Sequence, residues 1–279
     1  MSKDNTASVE RKKVNNARKK NLVAYSFILP NFIGFVCLTL IPIAFSFVLS
    51  VCEWDAGNTS TVTFVGFNNF KKMISDSTFL ISIKNTVYYS LGVVPCTLLL
   101  SLLLAMLMNC HLKGRTFFRS VIFFPYVASL VAVASKFGLT NSHLGLILMH
   151  TFTAFGVFLI RQFYMGIPND LLEAARIDGL SEYGIWAKIM IPLSKPAIAT
   201  LCITSFVNEW NDFMGPLIYL SDDRLKTLQL GLRLFIGQFS ADYQLIMAAS
   251  IISLFPVFIM FISVQKYFVE GVATTGMKG

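Results

Sequence analysis

The length of the uncharged stretches constrains this chain more than any other feature. No Asp, Glu, Lys or Arg occurs from Leu22 to Val51, and none from Asn85 to Leu112. A bilayer core takes about 20 helical residues, so each run can cross it once with room to tilt. Four shorter apolar runs follow: Ser120 to Ser135, Leu144 to Ile160, Ala197 through Tyr219 (which carries Glu209 and Asp212), and Gln244 to Val264. Backbone polar groups in lipid must be satisfied within the segment, which makes these runs helices. The expectation is an all-α, polytopic membrane protein with six transmembrane helices. A soluble helical protein is excluded, because 55% of the residues are hydrophobic, 14% are charged and 26 are Phe. That leaves too few charges to cover a water-facing surface.

Charge placement gives the expected orientation. Arg11, Lys12, Lys13, Arg18, Lys19 and Lys20 precede the first run, Lys113, Arg115 and Arg119 follow the second, and Arg161 and Lys266 close later ones. Basic residues favour the cytoplasmic side, so both termini are expected there, in a multi-pass protein of the cell membrane. The net charge of +8 is then a matter of topology. No helix-turn-helix, zinc finger or aromatic-basic ribbon points to nucleic acid.

The expected organisation is a cytoplasmic basic arm over 1–21, a first span over 22–51 and an extracytoplasmic loop over 52–83. A core with five more spans covers 84–266, and a cytoplasmic tail covers 267–279. The first run exceeds the ~7–15 residues of a signal-peptide core and is read as a retained span. Pro42 can kink it. A short interfacial helix is expected around Phe67 to Ile74, and Thr140-Asn141-Ser142 marks an outer turn.

Within the core, 162–195 mixes charge, glycine and proline between apolar runs, and reads as a pair of short cytoplasmic helices. Asp170 and Glu173 fit a capping box for the first helix. Gly179 can take the left-handed conformation that ends it. Ser181 can cap the second helix, which should stop near Met190 because Pro192 restricts Ile191.

The sharpest polar feature inside an apolar run is Asn208-Glu209-Trp210-Asn211-Asp212. Charge in a membrane is costly and usually faces protein or water, so these residues mark a pathway or a subunit interface; the alternative is a place at the outer membrane boundary. Phe123, Phe124, Tyr126, Phe152 and Phe155 could present ring faces to a sugar, although each alone is more simply a packing residue. His111, His143 and His150 show no metal-ligand spacing, and the five cysteines form no CxxC pair. Motifs for nucleophilic, metal-assisted or acid–base catalysis are missing, as is a phosphate-cradling loop. The chain is therefore expected to be neither an enzyme nor a cofactor protein, and any ATP must be bound by another subunit.

Glu173-Ala174-Ala175, then Asp178-Gly179, then Ile189-x-Ile191-Pro192 resembles the EAA signature of permease subunits in bacterial ABC importers, with Ile191 where leucine is usual. The resemblance extends over nearly the whole chain, to carbohydrate permeases of the maltose, lactose and glycerol-phosphate type. Residues 22–134 look like the first permease of such a pair and 137–279 like the second, with a join near Ala134 to Phe137. It implies the type I (MetI-like) importer fold and a translocation path for a sugar. The EAA loop would couple to cytoplasmic ABC ATPase subunits through Glu173, Ala174, Ala175, Asp178, Gly179, Ile189 and Pro192. A second permease subunit and an extracytoplasmic solute-binding protein are the other implied partners. A same-fold permease for a non-sugar solute, or a hybrid acting only as a membrane scaffold, is the alternative.

Overall fold

The computed structural model describes residues 20–21, 23–54, 62–109, 136–236 and 242–276. Helix α1 spans Val23–Ser50 and leads into a small antiparallel hairpin, β1 (Cys52–Trp54) with β2 (Val62–Phe64), in which Glu53 faces Thr63. Helix α2 (Asn68–Ser75) is the short helix expected beside it. Its buried Asn69 donates from Nδ2 to the carbonyls of Ser50 (3.0 Å) and Cys52 (2.8 Å), tying the hairpin to the end of α1.

Helix α3 (Ser77–Asn109) is the centre of the bundle. It begins ahead of the charge-free run and carries Lys84 in its first turns. Its buried positions include Ser82, Thr86, Ser90, Thr97, Ser101 and Ala105, a stripe of small residues. Lipid is as apolar as leucine, so such stripes let helices approach and gain van der Waals contact where burial from water cannot drive association. Helices α4 (His143–His150), α5 (Ala154–Met165) and α8 (Lys195–Trp210) pack on α3. Helices α6 (Asn169–Ile177) and α7 (Glu182–Leu193) lie between α5 and α8 in the chain. Helix α9 (Met214–Tyr219) and the short α10 (Leu228–Leu232) follow, and α11 (Tyr243–Gly276) packs on α1, α2 and α8.

The periphery is apolar outward. Only 6% of the most apolar stretch of α1 is buried, against 39% for α3. Phe27, Leu38, Phe258 and Ile262 stand exposed, as a surface bathed in lipid requires.

Among the described residues, four helical segments are long and apolar enough to cross a membrane: Val23–Ser50, Ser77–Asn109, His143–Met165 and Tyr243–Tyr267. The pair α7–α8, bent by 71°, raises this to five if it is one span. The expectation of six is thus met to four or five. The expected third span, Ser120 to Ser135, lies outside the described residues, as do Ala134 and Ser135 of the expected join.

Two spans expected to be continuous are broken. The run from Leu144 to Ile160 is interrupted at Thr151–Thr153, between α4 and α5, and the run through Tyr219 is interrupted at Asn211–Phe213, between α8 and α9. The first break is satisfied internally: Thr97 of α3 donates from Oγ1 to the Thr151 carbonyl at 3.0 Å. Non-helical backbone at membrane depth persists only where protein or a cavity supplies such partners.

The loops at the far end of α3 interlock. Asn85 donates from Nδ2 to the carbonyls of Arg224 (2.8 Å) and Lys226 (3.0 Å), and the Asn141 side chain accepts from the N–H groups of Ser221 and Asp222. Asn141 itself has φ 54°, consistent with the expected turn.

Proline is handled identically at two places. Val36–Leu40 and Trp186–Met190 are single π-helical turns, each followed by Ile-Pro: Ile41-Pro42 and Ile191-Pro192. The Ile N–H bonds five residues back, to Val36 or Trp186. The widened turn relieves the clash that a proline ring makes with the carbonyl four residues before it. Helix α7 therefore runs on through Pro192 to Leu193, and the expected stop near Met190 is corrected for this reason.

Candidate functional site: the α6–α7 loop and the polar cluster at the helix breaks

The α6–α7 pair is built by local rules. Gly179 has φ +81°, and its N–H bonds the Arg176 carbonyl while that of Leu180 bonds Ala175, both at 3.0 Å. This double closure is a Schellman end. The Ser181 hydroxyl accepts from the Gly184 N–H at 3.2 Å and caps α7, as expected. The capping box at Asp170 is not formed. Helix α6 starts at Asn169, with Pro168 (two residues before Asp170) as its cap and no side-chain cap bond, which leaves Asp170 in the first turn. Pro168 presets the entry angle, and Asp170 still favours the positive helix end.

One face of this loop is held and the other is free. Ala175, Ile185 and Met190 are buried in a single core with Leu102 and Ala105 of α3, Ile160 and Tyr164 of α5, and Ala197 and Leu201 of α8. Trp186 adds a hydrogen bond from Nε1 to the Tyr164 hydroxyl at 3.0 Å. Ile189 packs on the edge of the same core. Glu173, Ala174, Asp178, Gly179 and Pro192 face outward, and so do the apolar side chains of Ile177 (86% exposed) and Tyr183 (72%).

Arg176 ties the two helices, with Nε 2.8 Å from Glu182 Oε1. That hydrogen bond, and with it the guanidinium charge, holds the Glu182 carboxyl below the usual carboxylate range. A depressed carboxylate contributes above its ordinary pKa, about 4.3, and its contribution fades as pH falls through the folded value. The tie is complete at neutral pH and released in acid. Both partners are exposed, so it is weak and screened by salt. The melting difference between wild type and Arg176→Ala should be small, constant from about pH 6 to 8, and should fade as the pH falls below about 4. A difference that persists in acid would show that Arg176 acts through packing.

The second site lies where the broken helices meet. Tyr89 of α3 donates its hydroxyl proton to Glu209 Oε2 at the end of α8. With that proton committed, Tyr89 accepts from His150 Nδ1, which lies 2.7 Å away and also 3.0 Å from Glu209 Oε2. Asp212 Oδ2 is 3.7 Å from His150 Nδ1, and Asp212 Oδ1 accepts from the Gly215 N–H at 3.1 Å, at the start of α9. A Cβ at Gly215 would sit 2.4 Å from Asp212 Oδ2 and 2.9 Å from His150 Nε2, so only glycine lets α9 close on the cluster. The His150, Glu209 and Asp212 ligand atoms lie within 4.8 Å of one another, a donor set that could hold a cation.

The five polar residues expected on a pathway or interface separate here. Glu209 and Asp212 join the cluster. Asn208 is exposed on a cavity of about 330 Å³ lined also by Thr97, His150, Thr153, Phe155, Thr204, Ser205 and Glu209. Trp210 points the other way, buried against Phe206 and donating from Nε1 to the Ser253 carbonyl of α11. Asn211 accepts from Gln229 Nε2 at 3.2 Å. Tyr89 and His150 were missed: they lie 120 and 59 residues from Glu209, and no sequence spacing links them. Among the named aromatics, Phe155 reaches the cavity and Phe152 packs beside Met108 and Val157; Phe123, Phe124 and Tyr126 lie outside the described residues.

The lipid-facing periphery and the long apolar helices describe a polytopic membrane protein whose broken helices meet at a polar centre. Residues 93–273 match the family described as the inner membrane component of binding-protein-dependent transport systems, and the chain belongs to that family. It is 34% identical to the arabinooligosaccharides transport system permease protein AraQ of Halalkalibacterium halodurans over 203 residues, covering 70% of this chain and 73% of that one. With the sulfoquinovosyl glycerol transport system permease protein SmoH of Agrobacterium fabrum it shares 33% identity over 221 residues, 76% and 78% of the two chains. The crystal structure of a bacterial ABC transporter that imports the acidic polysaccharide alginate contains a chain of the same fold. That chain superposes with a TM-score of 0.78 at 24% identity, over 90% of this chain and 98% of its own. The protein is a transport permease subunit, one part of a multi-subunit ABC transporter.

Proposed function

We propose that this chain forms part of the translocation path of an ATP-driven sugar importer and couples to a separate ATPase through the α6–α7 loop. The carrying observation is the two-sided construction of that loop. Its inner face shares a core with α3, α5 and α8, while its outer face leaves Glu173, Ala174, Asp178, Ile177 and Tyr183 exposed. An apolar, exposed helical tip of this kind suits a groove on another subunit. Motion imposed on the tip passes to three spans as one packed unit, and coupling arises if the ATPase contacts the tip differently in two states.

In this reading the loop and both termini face the cytoplasm. A second permease completes the path, and a solute-binding protein delivers the sugar from outside. Relatives named for arabino-oligosaccharide transport and for melibiose, raffinose and stachyose import support a carbohydrate cargo. The mixed character of the two halves belongs to the same reading, and the family match, residues 93–273, spans the join.

The test is co-purification with the ATPase followed by sugar uptake in proteoliposomes supplied with the binding protein. Glu173→Lys should abolish ATPase retention and reduce uptake more than tenfold with insertion unchanged. Full uptake by this variant would sink the coupling role, and uptake of an amino acid or phosphate in place of sugar would sink the cargo.

A further inference from the structure

The cavity beside the helix breaks has a definite chemistry. Its volume, about 330 Å³, is near the lower end of the ~300–1,000 Å³ typical of small-molecule pockets. That suits one sugar ring better than a chain of them. Helix α8 turns Thr204 and Asn208, and Ser205 and Glu209, toward it in two pairs spaced by one turn. Thr97 enters from α3, Thr153 from the break between α4 and α5, and Phe155 from the first turn of α5.

Hydroxyls, an amide and a carboxyl offer donors and acceptors for sugar hydroxyls. The half-exposed Phe155 ring offers a flat apolar surface for the C–H face of a pyranose.

The charge is one-sided. Neither Lys nor Arg is among the described residues lining this cavity. Lys226 and Arg233 line a separate cavity with Ser221 and Leu230, where Lys226 pairs with Asp223 at 2.5 Å. Two carboxyls, those of Glu209 and Asp212, face a single imidazole. Tyr89 and His150 fix the Glu209 carboxyl in place. An anionic sugar entering here would meet a like charge in a poorly solvated site.

We propose that this cavity is a one-ring subsite for neutral sugars, and that Glu209 makes it reject anionic saccharides. The proposal rests on the reading of the chain as a sugar permease. It separates this protein from the relative of the same fold whose cargo is the acidic polysaccharide alginate.

The experiment uses the full chain, purified in detergent with its ATPase and permease partners and without binding protein. Saturation-transfer NMR compares neutral probes, arabinotriose and raffinose, with an alginate trisaccharide. Wild type should favour the better neutral probe at least tenfold. Glu209→Gln should narrow that ratio at least fivefold. Asn208→Lys, which adds a cation on the cavity wall outside the Tyr89–His150–Glu209 contacts, should do the same and decides the matter if Glu209→Gln fails to assemble. Equal response to neutral and anionic probes in wild type, or an unchanged ratio in the assembled variants, overturns the subsite while leaving the sugar reading intact. Silence from all three probes in wild type overturns both.

Discussion

Gly179→Val is expected to lower uptake more than tenfold while leaving membrane insertion unchanged. The residue sits at φ +81°, and a Cβ built there meets nothing within 4 Å. Crowding is therefore not the cause. The cost is in the backbone: a left-handed conformation disfavours an L-residue by about 1–2 kcal/mol, and more for a β-branched one. The loop can relieve that strain only by giving up the Schellman bonds to Ala175 and Arg176. The angle between α6 and α7 is then no longer set, and the exposed tip loses its fixed presentation. Gly179→Asn should retain most activity, because Asn tolerates the left-handed region. Uptake and binding-protein-stimulated ATP hydrolysis in proteoliposomes are the measurements. Wild-type behaviour of the Val variant would remove the requirement for a rigid turn. Equal failure of Val and Asn would move the cause to a side-chain clash with the partner.

Tyr89→Phe should destabilise the protein by about 1–3 kcal/mol, the range for stranding a buried group that has lost its hydrogen-bond partner. One oxygen is removed, yet Glu209, Asp212 and His150 all lose a neighbour. At roughly 2–4 °C per kcal/mol for a chain of this size, the melting point should fall by about 2–12 °C. Tyr88→Phe is the comparison: its ring lies by His143, away from the cluster, and it should melt as wild type does. The double variant Tyr89→Phe, Glu209→Gln should fall by less than the sum of the two single changes, since each removes one side of the same bond. Additive losses would mean that Tyr89 and Glu209 do not interact.

The helical membrane class was legible because it depends on one-dimensional quantities, the charge-free lengths of Leu22–Val51 and Asn85–Leu112. The turn between α6 and α7 was legible for a similar reason: Gly179 and Ser181 act within a few residues of themselves. Prediction failed where a local rule had a structural escape. Pro192 should have ended α7, but a π-helical turn absorbed it. Asp170 should have capped α6, but Pro168 took the place two residues earlier. The polar centre was half legible. Glu209 and Asp212 stood out as charges in an apolar run, whereas Tyr89 and His150 read as ordinary residues of other helices. The small-residue stripe on α3, spaced by helical turns from Ser82 to Ala105, was a signal available in the sequence and not used.

The shared core beneath the α6–α7 loop bears on protein engineering. Ala175, Ile185 and Met190 interlock with side chains from three separate spans, so the EAA segment is not a detachable adaptor. Grafting it from another permease would seat foreign side chains on unmatched sockets. A working chimera would have to exchange Leu102, Ala105, Ile160, Tyr164, Ala197 and Leu201 together with the loop, or confine the graft to the outward-facing residues.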